Sequence, residues 1–248
     1  MKTILSGLIV LCLFWQSFGQ QQEAYSGNAK PVSHELWNTF TGKYVSPSGN
    51  VNYKTIVKNK AELEAYLTVL KNAHPTAKWT ENERKAYWIN AYNAFTIKLI
   101  IDNYPVKSIK DIGGALKSPW DKSFIVIENQ TYSLGDIEHK ILRKEFNDPR
   151  IHFAINCASV SCPKLVNYAY IPEKLDEQLN GVAISFINDK SRNNITPDLA
   201  QLSSIFDWFT GDFTKKGSLI DFLNQYSKIK INPTAKVKFL DYNWNLNE

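Results

Sequence analysis

One segment constrains this chain more than any other: "TENERKAYWINAYNAFTIKLIIDN", residues 80–103. Thr80 and Glu83 stand at capping-box spacing, and Tyr104-Pro105 ends any helix that starts there. Between these signals Trp88, Ile89, Ala91, Ala94, Phe95, Ile97, Leu99 and Ile100 place apolar groups on nearly every side. A helix that is apolar all round must be covered all round, so it belongs at the centre of the fold.

The flanking segments supply the cover. Leu36, Trp37, Phe40 and Tyr44 recur at helical spacing until "SPSGN" at 46–50, and Leu63, Tyr66, Leu67 and Leu70 carry a second amphipathic helix that closes at His74-Pro75. Residues 123–134 predict a hairpin about Glu128-Asn129-Gln130. Ser133 and Asp136 repeat the capping-box spacing and open a helix to about Glu145. Asn147-Asp148-Pro149 then predicts a turn into a strand from Arg150 to Cys157. Pro172 predicts the first position of another helix, with Leu175, Leu179, Val182, Ala183 and Phe186 on its inner face. Strands are expected at 199–204 and 236–241, flanking a helix capped by Ser218 and Asp221. Helices that come early and strands that come late and scattered predict an α+β fold. Its N-terminal half is helix-rich, with a central buried helix packed on a small, mainly antiparallel sheet. No linker divides residues 34–248, which are expected to form a single globular domain.

Residues 1–19 predict a secretory signal peptide: Lys2 precedes an apolar run from Ile4 to Trp15, and Ser17-Phe18-Gly19 supplies small residues for cleavage. About 12 apolar residues are too few to cross a hydrocarbon core that needs roughly 20, so no transmembrane segment is expected in the mature chain. Residues 20–33 are polar and aperiodic, a flexible lead-in. The expected location is periplasmic or secreted. Cys12 would leave with the leader, so the mature chain keeps only Cys157 and Cys162. An even pair in an oxidising compartment reads first as a disulfide. The net charge of +5 includes no run of Lys or Arg interleaved with aromatics, which argues against a nucleic-acid partner. The 7 Trp and 12 Tyr exceed what a core needs and suit a cleft whose walls have an apolar body and a polar tip. The expected partner is a small-molecule or peptide ligand, with no cofactor called for.

Four motifs, "YWINAYNAFTIKLI", "SLGDIEHKILR", "RIHFAINCASVSCPKL" and "LSSIFDWFTGDF", occur in that order. Together they resemble the domain of unknown function 547 family over roughly residues 34–215. The resemblance implies a WxNxYNA helix, here Trp88, Asn90, Tyr92, Asn93 and Ala94. It also implies an IEHxxLR helix, here Ile137, Glu138, His139, Leu142 and Arg143, and the cysteine pair Cys157 and Cys162. It implies no particular activity.

Several polar residues in these motifs invite a function. Asn90 and Asn93 lie one turn apart on the most buried helix, and a buried amide left unpaired costs about 1–3 kcal/mol. They either tie loop backbones to the core or, with Tyr92 and Trp88, wall a pocket. Glu138, His139 and Arg143 form the densest ionisable cluster. Only His139 and Arg143 are neighbours on a helix face, and a surface salt-bridge face is the plain alternative for Glu138 and Arg143. His139 and His152 are the candidate bases and Cys157 and Cys162 the candidate nucleophiles, with Arg143 and Arg150 as cations favouring a thiolate. In a strand, five residues at about 3.3 Å each put His152 roughly 16 Å from Cys157 and on the opposite face. His152 and Cys157 then meet only if the strand breaks before Cys157; His139 is the first choice as base for Cys157, and a loop can fold Cys162 back to His152. The types match zinc ligands, but the spacing is not that of a knuckle, and no metal site is expected. A disulfide closing so short a loop would add only about 2 kcal/mol.

Three classes of function follow. One is a thiol-dependent hydrolase or acyl transferase, by analogy with papain-like and transglutaminase-like folds. A second is a non-catalytic ligand-binding module with a disulfide-closed loop. The third is a thiol-disulfide redox or metal-linked protein.

Overall fold

The N-terminal half is built of helices. α1 (Glu35–Tyr44) and α3 (Lys60–Lys71) bring Trp37 and Tyr66 into a ring stack 5.4 Å apart, and Tyr66 Oη lies 2.8 Å from His34 Nδ1. Leu36, which shares the spacing of the apolar face, is 47% exposed. A short helix between them, α2 (Tyr53–Lys58), starts at Asn52, whose side chain accepts from Thr55 N–H at 3.0 Å. Six residues are too few to show a period. These helices surround α4 (Glu81–Asn103), which opens with the expected capping box: Thr80 accepts from Glu83 N–H and Glu83 accepts from Thr80 N–H. Every residue from Lys85 to Ile101 except Lys98 is buried, as the apolar circumference demands. These coordinates come from a computed structural model that describes residues 27–114 and 118–248. The expected leader and the first half of the lead-in, residues 20–26, lie outside the described residues.

After α4 the chain forms the predicted hairpin, β1 (Ile125–Ile127) antiparallel to β2 (Gln130–Tyr132), with Glu128 in the left-handed region at φ 48°. The Ser133 and Asp136 cap also forms: Asp136 accepts from both the N–H and the hydroxyl of Ser133, at 2.8 and 2.9 Å. The helix it opens is not an α-helix. Asp136–Leu142 is a π-helix, and Arg143 N–H closes its last turn on the Glu138 carbonyl before a final turn, α5 (Arg143–Glu145). Such segments are rare and concentrate at functional sites.

The predicted strand from Arg150 to Cys157 does not exist. Pro149–Phe153 is a 3₁₀ helix, because Asp148 caps Arg150 N–H at 3.1 Å and Pro149 presets a helical φ at the first position. The chain from Ala154 onward is a loop. The separation and opposite facing of His152 and Cys157 derived for a strand therefore do not apply.

Pro172 begins a short 3₁₀ turn into α6 (Leu175–Ile187), whose five predicted inner residues are all buried. β3 (Asn194–Ile195) pairs antiparallel with β4 (Leu199–Ser203), and β4 pairs parallel with β5 (Lys236–Leu240). Three short helices, α7 (Ile205–Trp208), α8 (Thr210–Phe213) and α9 (Leu219–Leu223), connect β4 to β5, and Ser218 and Asp221 cap the last as predicted. Among the described residues helix accounts for about 47% and strand for about 11%, an α+β balance with too little strand for repeating βαβ units. The main neighbours of α4 are α2, α3 and the π-helix, so the strands sit outside a helical centre. No helix among the described residues is long and apolar enough to cross a membrane.

Candidate active site

The cysteine loop is held in shape by its own side chains. Asn156 accepts from Ala158 N–H at 2.8 Å and donates to the Pro163 carbonyl at 2.7 Å, which closes residues 156–163 into a ring. Ala158, fully buried, adopts φ 57°, a conformation that costs an alanine about 1 kcal/mol or more and persists only where its surroundings impose it. The C-terminal segment clamps the loop from outside: Asn245 and Asn243 carbonyls accept from Val160 and Ser161 N–H, and Asn247 N–H bonds the Ala158 carbonyl. This strap carries Tyr242 and Trp244.

Under the loop lies a cavity of about 180 Å³. Tyr92 of α4, Trp120, and Glu138 and His139 of the π-helix form part of its wall. His152, Ile155, Cys157, Cys162 and Pro163 form another, and Ile205, Trp208, Phe209, Tyr242 and Trp244 complete it. All four candidate catalytic residues therefore meet in one place. A larger cavity of about 340 Å³ lies around Asp148, Arg150 and Lys215, but these three are already in ion pairs and no cysteine or histidine lines it.

The candidate binding residues divide. Tyr92 and Glu138 line the cavity, with the Tyr92 hydroxyl donating to Glu138 Oε2 at 3.0 Å and Trp120 Nε1–H donating to Tyr92 at 3.2 Å. Asn90 and Asn93 do not line it. Asn90 exchanges two bonds with the Tyr170 backbone at 2.7 and 3.0 Å, and Asn93 bonds the Ala154 carbonyl and Asn156 N–H at 2.9 and 2.8 Å. Both amides are fully engaged in tying loops to α4, as buried amides must be. Trp88 packs edge-on against Tyr87, His74 and Tyr132, away from the cavity. Arg150 is held by Asp148, Asp176 and Asn180. Arg143 stands behind the wall, over the Phe209 ring.

The two cysteines are free thiols, not a disulfide. Their sulfurs lie 2.7 Å apart, and Cys162 Sγ also accepts from Cys157 N–H at 2.8 Å. The pair is asymmetric. Burial raises the Cys157 thiol, but hydrogen bonds from Cys162, Ser159 and Tyr242 to its sulfur outweigh that and bring it below the ordinary value. Burial pushes Cys162 far up, and the neighbouring Cys157 sulfur adds to this. Cys157 is thus the thiolate-forming member, and Cys162 is the thiol that donates to it.

His152 is buried in a stack on Phe209, with ring centroids 4.0 Å apart, and its Nε2 lies 2.8 Å from Asp212 Oδ2. Burial lowers its pKa despite the Asp212 bond, so at neutral pH the ring is uncharged. A carboxylate only accepts, so Nε2 carries the proton and Nδ1 keeps its lone pair. Nδ1 is buried and has no hydrogen-bond partner among the described residues. Burial raises Asp212, yet the bonds from His152 and Arg143 hold it well below the usual carboxylate range. With His152 neutral, Arg143, whose Nε donates at 2.6 Å, is the nearer of two cations on Asp212, the other being Lys215 at 3.4 Å, and it holds the carboxylate ionised.

His139 is arranged differently. Its side chain is half exposed, and its Nδ1 lies 3.1 Å from Arg143 Nη1. Arginine only donates, so Nδ1 is an acceptor and the proton of the neutral ring sits on Nε2. The 4.0 Å approach of that same Nδ1 to Glu138 Oε1 is accordingly not an ion pair.

Asp212, Tyr242, Trp208 and Trp244 are site residues that the sequence alone did not single out. Asp212 lies in "LSSIFDWFTGDF", where its spacing from His152 of 60 residues carries no signal. No group of three or more His, Cys, Asp or Glu side chains among the described residues converges as a metal site would. No curated protein and no solved structure matches the chain. Residues 76–187, which hold α4, the π-helix and the cysteine loop, match the family model described as "Protein of unknown function, DUF547", and this segment is assigned to that family.

Proposed function

We propose that this protein is an exported thiol-dependent acyl-transfer enzyme, a hydrolase or acyl transferase, with Cys157 as nucleophile, His152 as base and Asp212 orienting the base. One observation carries the proposal: a buried, neutral imidazole bound to a carboxylate at one nitrogen and unpartnered at the other lines the same cavity as a thiol of lowered pKa. Nucleophile, base and orienting carboxylate are the three parts that thiol catalysis needs.

The chemistry runs in two halves. Cys157 gives its proton to His152 Nδ1, and the sulfur attacks the carbonyl carbon of an ester or amide. The leaving group departs with the proton from His152, which leaves a thioester on Cys157. Water, or another acyl acceptor, then gives a proton to His152 as it attacks the thioester, and the thiol reforms as that proton returns to sulfur. Asp212 stays ionised throughout and supports the imidazolium. Cys157 N–H is engaged by Cys162 Sγ and does not assist the developing oxyanion.

Reduced protein mixed with p-nitrophenyl acetate tests this. The expected result is a burst of nitrophenol matched by one acetyl group on Cys157. The burst should be absent in Cys157→Ala, and the acetyl group should persist in His152→Gln. Acetylation only of lysines, at the rate of the unfolded chain, would overturn the proposal. Export is tested separately: intact mass of protein from its native envelope should begin near Gln20.

A second observation favours a redox reading. Sulfurs 2.7 Å apart need little movement to bridge, and a pair that cycles between dithiol and disulfide in glutathione buffers without ever forming a thioester would support it.

A further inference from the structure

The acyl-transfer proposal leaves Glu138 unexplained. Its side chain is only 9% exposed, yet no Lys or Arg among the described residues pairs with it. Oε2 accepts from Tyr92, whereas Oε1 has only the non-donating His139 Nδ1 at 4.0 Å. A buried carboxylate without a cation is costly unless something else supplies the charge. Around the same cavity stand Trp208, Tyr242 and Trp244, with ring centroids 4.6–5.6 Å apart. Trp120 meets Trp244 edge-on at 5.7 Å. Aromatic faces attract cations, most strongly where water is excluded. The protein's own cations use two rings of the cavity wall: Lys110 Nζ lies 3.8 Å from the Trp244 ring and Arg143 lies over Phe209, though neither cation lines the cavity.

We infer that the cavity seats a primary alkylammonium group of the substrate between Glu138 Oε1 and the Trp208, Tyr242 and Trp244 rings. The ammonium supplies the donor that Oε1 lacks, and the rings take its alkyl stem and the remaining positive charge. The reacting acyl group then lies on the Cys157 side of the same cavity. The substrate class is an amine-bearing acyl compound, such as an acylated diamine or a diamino-acid residue in a peptide. This inference rests on the acyl-transfer proposal for its chemistry, but not for its binding test.

The test uses n-butylammonium as probe and n-butanol as its uncharged counterpart, with tryptophan fluorescence and calorimetry on the reduced mature protein. The cation should bind saturably and at least about tenfold more tightly than the alcohol, the range of one charge-assisted hydrogen bond plus cation–π contact. Glu138→Gln should abolish that preference. Trp208, 46% exposed, tolerates replacement, and Trp208→Leu should weaken the cation severalfold. Should Glu138→Gln fail to fold, Trp208→Leu decides: lost affinity supports the site, and retained affinity overturns it. Equal binding of cation and alcohol, or no saturable binding of the cation, also overturns it. Acetylation of Cys157 is read on the same samples. Acetylation without cation preference defeats this inference alone, and absence of both defeats it together with the acyl-transfer proposal.

Discussion

Replacing Cys162 by alanine isolates the source of Cys157's reactivity. In the structure Cys162 donates to the Cys157 sulfur at 2.7 Å, and this bond leads the interactions that lower the Cys157 thiol. A hydrogen bond to a charged acceptor contributes about 1.5–3 kcal/mol, and a weak S–H donor belongs at the lower end. At 1.36 kcal/mol per pKa unit, its loss raises Cys157 by about one unit. At pH values below both pKa values the thiolate fraction then falls about tenfold. The more basic thiolate is intrinsically the better nucleophile, and a Brønsted slope of about 0.4–0.5 restores roughly threefold. The net expectation is alkylation of Cys157 by iodoacetamide slowed about threefold to fourfold at pH values below both pKa values. Above both pKa values the variant should instead react about threefold faster, so the two pH profiles cross. Cys162→Ser, which keeps a donor, should lie close to wild type. Mass spectrometry on reduced protein at a series of pH values measures this, and in wild type the first label should fall on Cys157, the less buried residue of the two. Superimposable profiles for wild type and Cys162→Ala, or labelling of Cys162 before Cys157, would refute the asymmetry of the pair.

Three further expectations follow from the same geometry. Asp212→Asn offers an amide that donates to His152 Nε2 while its oxygen accepts from Arg143, which moves the proton to Nδ1. Thioester hydrolysis in a burst assay should then fall roughly a thousandfold or more, and an unchanged rate would remove Asp212 from the mechanism. His34, buried beside Tyr66, has its pKa lowered by burial from 6.5 to about 4. Its folded-state pKa lies below its unfolded one, so its contribution is complete above pH 6.5 and is lost as pH falls toward 4, by about 3 kcal/mol. Urea titrations of His34→Asn should show a shallower acid decline than wild type, and parallel declines would exclude His34 as its source. Asn93→Leu strands the Ala154 carbonyl and Asn156 N–H, for a loss of roughly 2–6 kcal/mol in chemical denaturation. A loss below 1 kcal/mol would mean that water reaches those groups.

What the sequence made legible were local signals with a fixed spacing. The capping boxes at Thr80, Ser133 and Ser218 all form, because each is closed within four residues and needs no tertiary partner. The burial of α4 was equally legible, since an apolar circumference has one solution. The π-helix was not, because a single-residue change of register leaves the apolar pattern of "DIEHKIL" intact. The strand expected from Arg150 to Cys157 failed for a related reason. "IHFAI" is apolar enough for a strand, but Asp148 and Pro149 start a 3₁₀ turn before a sheet partner is met.

That one local error decided how the site was composed from sequence. With His152 in a strand, distance and facing set it against Cys157 and left His139 as the base for that thiol. With His152 in a 3₁₀ turn, His152 and Cys157 line one cavity, and proton bookkeeping separates the two histidines. Arg143 donates both to Asp212 and to His139, so a single guanidinium keeps the Asp212 carboxylate ionised behind His152 and occupies the lone pair of His139. His152 is left with a basic nitrogen and an oriented ring, and His139 with neither a free lone pair nor a carboxylate partner. The same arrangement predicts opposite outcomes for the two alanine variants. His152→Ala should abolish deacylation of the Cys157 thioester. His139→Ala, half exposed and without a base to lose, should leave deacylation within about threefold of wild type and cost little stability. Deacylation lost in His139→Ala and kept in His152→Ala would reverse the assignment.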